Sequence, residues 1–146
     1  MMKKLLLLFI LFVPMFLLAQ QNLFVGKWEA VDDVTKKPVA IIEIYEEAGK
    51  LFGRVHDIFN KVDRKRVCTK CIGEDHNKPI LGLTILKGLK KDGNEYSGGK
   101  ILDPKHGKFY DCYITLEKNN SVLKIRGYYG LSIFGRTQYW YRVKDK

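Results

Sequence analysis

Cys68-Thr69-Lys70-Cys71, with His76 five residues on, is the densest group of reactive side chains in this chain of 146 residues. Several chemistries use two cysteines at this spacing. Covalent haem attachment needs a His directly after the second Cys, and Ile72 stands there. A thioredoxin-like redox pair needs its first Cys at a helix N-terminus, where the helix dipole lowers the thiol pKa. Gly73, Asn77 and Pro79 read instead as loop. A zinc site needs four ligands. Cys68, Cys71 and His76 offer three, with His56, His106 or Asp75 as a fourth. The structural use is a disulfide between Cys68 and Cys71 that braces a long loop, favoured wherever the chain meets an oxidising environment. So small a ring shapes its loop more than it stabilises the fold.

Acid–base chemistry requires a His or carboxylate set against a partner. His56, His76 and His106 are scattered over one predicted strand and two predicted loops. No Gly-x-Ser-x-Gly elbow and no His-Glu-x-x-His pair occurs in the sequence. Gly98-Gly99 lacks the third Gly and the following helix of a phosphate loop, and reads as a strand bend. Cys112 falls on an apolar strand face with Tyr110, Ile114 and Leu116, as a small buried hydrophobe rather than a nucleophile. These residues supply no catalytic set, imply no cofactor, and leave a metal- or thiol-dependent enzyme as the least supported function.

A binding wall is better supported. Tyr110, Arg126, Tyr129, Tyr139, Trp140 and Arg142, with Tyr128, Arg136 and Tyr141 nearby, lie on the predicted last strands. Aromatic walls with a few cations suit a small apolar or amphipathic, acid-headed molecule such as a lipid. The competing reading has the same side chains filling a small solid barrel and decorating its outer face.

The elements that would position this wall read as strands. Val39 to Tyr45 alternates, with Ala40, Ile42 and Ile44 opposite Glu43. A tight turn at Glu47-Ala48-Gly49-Lys50 leads to Leu51–Phe59, which makes a hairpin. A strand over Phe24–Val31 precedes them. Asn60 to Pro79 breaks the rhythm and is longer than most loops in compact domains. Beyond it, Leu81–Leu89, Glu95–Leu102, Lys108–Glu117, Val122–Tyr129 and Phe134–Lys144 alternate with turns rich in Gly, Asn and Asp. About eight short strands in succession predict an all-β fold, a single eight-stranded antiparallel up-and-down β-barrel. Closing the meander removes its exposed edges. Eight strands leave a bore wide enough for side chains or one small ligand.

Residues 1–19 read as a signal peptide and 20–146 as the barrel domain. Lys3 and Lys4 precede an apolar run from Leu5 to Leu18, and Ala19 precedes polar Gln20-Gln21-Asn22. The run is shorter than the roughly 20 residues of a spanning helix. The expected destination is therefore the periplasm or the exterior. The formal net charge is +10, and only Lys3 and Lys4 of the 26 basic residues lie in the leader. Contact with the envelope or a membrane surface is one use of a basic exported chain. The favoured reading is a solvated surface that keeps the protein soluble, because the positive charges are spread along the chain rather than clustered. Nucleic acid is a poor partner, because no recognition motif is present. Oligomeric state leaves no mark on the sequence.

Two resemblances follow from these strands. Gly26-Lys27-Trp28 resembles the Gly-x-Trp signature of lipocalins and related calycin barrels. In those families the Trp plugs the closed end, and an Arg or Lys of the last strand packs across it. The resemblance implies barrel closure by Gly26, Trp28 and either Arg142 or Arg136. A wider set spans nearly the whole mature chain. It runs through Leu51-Phe52-Gly53-Arg54-Val55, Pro79-Ile80-Leu81-Gly82-Leu83 and Gly98-Gly99-Lys100-Ile101-Leu102-Asp103-Pro104. It ends in Leu123-Lys124-Ile125-Arg126-Gly127-Tyr128 and Gly135-Arg136-Thr137-Gln138-Tyr139-Trp140-Tyr141-Arg142. This set resembles the secreted bacterial family called domain of unknown function 2147, which implies a calycin-like barrel and an exported protein and carries over no catalytic residues. The leading expectation is a non-catalytic, exported binder of a small apolar or amphipathic ligand. The alternative is a periplasmic interaction or envelope-maintenance module with a solid barrel, contacting its partner through the basic loop from Lys61 to Lys78.

Overall fold

The computed structural model describes residues 20–144, so the expected leader at 1–19 lies outside the described residues. Eight antiparallel strands follow one another: β1 Gly26–Val31, β2 Pro38–Glu47, β3 Lys50–Ile58, β4 Thr84–Asp92, β5 Glu95–Asp103, β6 Lys108–Glu117, β7 Val122–Tyr128 and β8 Gly135–Arg142. Each pairs with the next, and β8 returns to β1 to close the barrel. The closing seam has only three register pairs, Trp28 with Arg142, Glu29 with Tyr141 and Ala30 with Trp140.

Alternation along the strands decides which side chains enter. Ile42 and Ile44 on β2, Leu51 and Val55 on β3, Leu86 and Leu89 on β4, Ile114 on β6, and Leu123 and Ile125 on β7 are buried. Trp28 and Trp140 join them. Burying apolar area at about 25 cal/mol per Å² is what drives this closure. The lower part of the barrel is thus solid.

Two strand starts differ from expectation by more than one residue. The fourth strand starts at Thr84 rather than Leu81, because Leu81-Gly82-Leu83 still belongs to the long loop. There Gly82 N–H donates to Val55 O and Val55 N–H to Leu83 O. The first strand starts at Gly26, and Phe24 instead packs edge-on against Tyr96, 4.8 Å between ring centroids, under the barrel.

The up-and-down order sorts the connections. The β2–β3, β4–β5 and β6–β7 turns share one end with residues 20–25, and the other four connections lie at the opposite end. The β3–β4 connection is long and folds against the outer face of β4–β6. It is organised by a bridge between Val67 and Pro79 and by the Cys68–Cys71 disulfide. Asp75, 4 % exposed, pins it through Lys87 Nζ at 2.5 Å, which also stands 5.1 Å over the Phe109 ring. Gly107, in the β5–β6 turn, has φ +68°, and a Cβ there would collide with the Lys70 carbonyl. The loop backbone therefore rests directly on that turn.

Candidate functional site

The two ends of the barrel are built differently. At the lower end, the Trp28 indole is fully buried and its Nε1–H donates to Phe24 O at 2.9 Å. Arg142 lies across the ring, with its guanidinium carbon 4.2 Å from the centroid. The same guanidinium donates to the carbonyls of Leu23, Val25 and Asn120. Burial lowers the Arg142 pKa from its ordinary value. The N-terminal segment, β1, the β6–β7 turn and β8 meet at this one side chain. Arg142 takes the place across Trp28, and Arg136 lies at the far end of β8.

The other end is an open cup of about 360 Å³ above the solid core. Its apolar wall is Ile101, Tyr110, Ile125, Tyr129 and Phe134. The Tyr110 and Tyr129 rings lie 4.7 Å apart, tilted at 55°. Gly127 gives the cup its depth: nothing stands inward of it, and a Cβ would meet only Ile101 Cγ2 at 3.4 Å and Tyr110 Cβ at 3.8 Å. Arg136, Gln138 and the Asp103 carboxylate, which is paired with His106, form the polar wall. Both Nε and Nη2 of Arg136 donate to the Asp33 carboxylate of the β1–β2 turn. That hydrogen bond, with the opposite charge, lowers the Asp33 pKa and raises that of Arg136. Arg136 Nη1 and the Gln138 amide make no hydrogen bond among the described residues. A cup of this kind can enclose an apolar group and offer donors to an acceptor at its edge.

The expected aromatic and cationic wall is divided by the structure. Tyr110 and Tyr129 face the cup. Trp140 lies deeper, buried in the core, and its Nε1–H is the buried side-chain donor left without a partner among the described residues. Arg142 sits at the closed end. Arg126 and Tyr139 are on the outer face, because they alternate with inward Ile125, Gly127 and Trp140. Arg126 there holds the β7–β8 loop by donating to Ser132 O, Ile133 O and Thr137 Oγ1. The expectation failed at these positions because neighbouring residues on a strand point to opposite faces. Phe134, Gln138 and Gly127 were missed. Extending the inward parity of Ile125 along the hairpin would have found the last two, whereas Phe134 sits in a loop with no periodicity.

Cys68 and Cys71 are joined in a disulfide, so their sulfurs are not free to ligate zinc with His76. His76 Nδ1 lies 2.8 Å from Cys71 O. His56 is 3.8 Å from Glu43, and His106 is 2.7 Å from Asp103. These are three separate places, and none of the imidazoles lines the cup. Cys112 points inward beneath the cup, and burial pushes its thiol up to about 12. A thiol so held stays protonated and unreactive.

Comparison with known proteins agrees with this architecture. The model of a family described as "uncharacterized protein conserved in bacteria" (DUF2147) matches residues 26–142. A solved structure from Helicobacter pylori, described as protein HP1028 of the lipocalin family, superposes with a TM-score of 0.71. The two are 21 % identical, and the match covers 82 % of each chain. At that identity the likeness concerns the fold, an eight-stranded lipocalin-like barrel. No match is found among curated proteins.

Proposed function

This chain belongs to the DUF2147 family of bacterial proteins, and from that premise we propose that it is an exported, non-catalytic barrel that binds a small amphipathic molecule in its open end. One observation carries the reading. A 360 Å³ cup with aromatic and aliphatic walls has two unused donors, Arg136 Nη1 and the Gln138 amide, on one side only. The apolar part of a ligand would lie against Tyr110, Ile125 and Tyr129. An acidic or carbonyl head would lie against Arg136, sharing that cation with Asp33. The volume is at the small end of ordinary ligand sites, which favours a single ring system or a short acyl chain over a long one. Export rests on the leader pattern of residues 1–19.

Titration with anilinonaphthalene sulfonate, an acid-headed aromatic fluorophore, tests the reading. Saturable one-to-one binding should weaken at least tenfold in Gly127→Val, which fills the cup, and severalfold in Arg136→Gln. Binding unchanged in both variants would defeat it. Native mass spectrometry of protein from its own host would then identify the natural occupant. The solid lower barrel favours a second reading, an interaction module that presents its braced loop. Absence of any saturable binding in the titration would select it.

A further inference from the structure

The most exposed apolar side chains of this barrel are not scattered. The six most exposed large ones among the described residues are Val34 at 80 %, Val62 at 78 %, Ile72 at 74 %, Ile133 at 72 %, Phe134 at 67 % and Leu131 at 65 %. All six lie in the β1–β2, β3–β4 and β7–β8 connections, which start and finish at the open end, although the middle of the β3–β4 connection, with Ile72, folds down the outer face. The turns of the closed end, Ala48-Gly49, Gly93-Asn94 and Lys118–Ser121, carry no large apolar residue, although Leu23 of the N-terminal segment there is 53 % exposed. Single exposed hydrophobics are ordinary, but their concentration on one end of a soluble fold marks an interaction surface.

The charges of the same loops narrow the partner. Lys36, Lys37, Lys61, Lys65, Lys70 and Lys105 are exposed and make no ion pair among the described residues. Most acids of this end are already engaged, and among the described residues only Glu74 and Asp32 hold no cation, against these six lysines. Asp33 holds Arg136, Asp63 holds Arg66, and Asp75 is buried against Lys87. The balance of free charge at the rim is therefore positive. Its apolar tips stand on three separate loops rather than in one continuous face. A folded protein partner would need a surface matched to each tip, whereas a fluid interface admits them separately. Apolar tips ringed by flexible lysines suit a bilayer with anionic headgroups, the tips entering the acyl boundary and the ammonium groups meeting the phosphates.

We propose that the open end of the barrel is a docking face for an anionic lipid bilayer, seated by the β7–β8 loop, Val34 and Val62 and by the surrounding lysines. The β7–β8 loop is held for this purpose by Arg126, whose guanidinium takes the Ser132 and Ile133 carbonyls and leaves Leu131 and Ile133 outward. Docking in this pose would set the cup mouth on the membrane. The docking itself does not depend on what the cup holds.

Vesicle co-sedimentation tests it, with no ligand added and with protein starting at Gln20, which retains every strand of the closed barrel. Vesicles of phosphatidylglycerol and phosphatidylcholine, against phosphatidylcholine alone, should show at least tenfold stronger partitioning, largely lost in 0.5 M salt as screening shortens the reach of the lysines. The variant Val62→Ser/Leu131→Ser/Ile133→Ser changes only exposed side chains outside the cup lining, and should lose at least tenfold in partitioning. Lys61→Gln/Lys65→Gln/Lys70→Gln should lose a similar factor while removing most of the salt dependence. Circular dichroism of each variant matching the parent establishes that folding is intact. Equal affinity for both vesicle types, no binding, or binding indifferent to the serine variant would each overturn the proposal. So would a dimer in light scattering that the serine variant abolishes in the absence of vesicle binding, because the tips would then belong to a second copy. The fluorophore titration is independent of all these outcomes, so loss of the docking face and loss of the ligand site are distinguishable.

Discussion

The guanidinium carbon of Arg142 lies 4.2 Å from the centroid of the Trp28 ring, directly across the seam where the last strand rejoins the first. That seam has three register pairs, fewer than any other joint of the barrel. Two arginines of β8 reinforce it. Arg142 ties the lower end to the N-terminal segment and the β6–β7 turn, and Arg136 reaches Asp33 at the upper end. Closure is therefore a local polar device added to a continuous apolar core.

Arg142→Met should cost about 2–4 kcal/mol, from the lost cation–π contact and the charged hydrogen bonds to three carbonyls. Arg142→Lys should recover less than half of this, because an ammonium group cannot span carbonyls on separate segments. Urea unfolding of the three proteins measures both. A loss below 0.5 kcal/mol in the Met variant, on the order of an exposed side chain, would show that the seam closes without it.

The two tryptophans should respond differently to shortening. Trp28 donates to Phe24 O, whereas the buried Trp140 Nε1–H has no partner. Both Trp→Phe changes remove similar volume. Trp28→Phe additionally orphans a carbonyl, while Trp140→Phe relieves an unsatisfied donor worth about 1–3 kcal/mol. Trp28→Phe should therefore be the more destabilising by at least about 1 kcal/mol. Equal losses in thermal and urea unfolding would count against the assignment.

Gly107→Ala tests how firmly the braced loop rests on the barrel. The substitution places a side chain at φ +68° and against the Lys70 carbonyl. The strained backbone alone costs about 1–2 kcal/mol. The loop should lift before the barrel unfolds, so the Cys68–Cys71 disulfide should be reduced by dithiothreitol several times faster, with the far-ultraviolet spectrum preserved. An unchanged reduction rate would show that the disulfide is not protected by that contact.

Strand number, order and closure were legible because period-two alternation and Gly- or Asn-bearing turns are local signals. Ile42 with Ile44, or Leu123 with Ile125, announce their face within three residues. The site was only half legible. Tyr110 and Tyr129 share a parity that points them into the bore, but depth along the bore is set by neighbouring strands. Nothing in the sequence near Trp140 says that it lies below the cup while Gln138 lines it. Strand parity separates Arg126, outside, from Arg136, inside, but the pairing of Arg136 with Asp33, 103 residues away in sequence, leaves no local signal. The seat of the long loop was illegible for the same reason, since it rests on the distant pairing of Asp75 with Lys87 and of Gly107 with Lys70.

Cys112 supplies a pH signature of the closed core. Burial raises its pKa from 9.0 to about 12. Between those values the folded protein keeps the thiol proton and the unfolded chain releases it. The unfolded state then binds fewer protons, so stability falls as pH rises. The slope is at most about 1.4 kcal/mol per pH unit. The stabilisation is complete below pH 9 and is lost progressively above it. Cys112→Ala removes the group and leaves a small cavity, so it should be less stable at pH 7 yet lose less on going to pH 10.5. Subtracting the two unfolding curves isolates the thiol from every group that the two proteins share. Parallel curves for parent and variant would mean that the thiol is open to water. Alkylation by iodoacetamide at pH 8 gives the matching kinetic test. Modification of Cys112 should proceed only as fast as the barrel opens, and rapid reaction of the native protein would contradict a solid lower barrel.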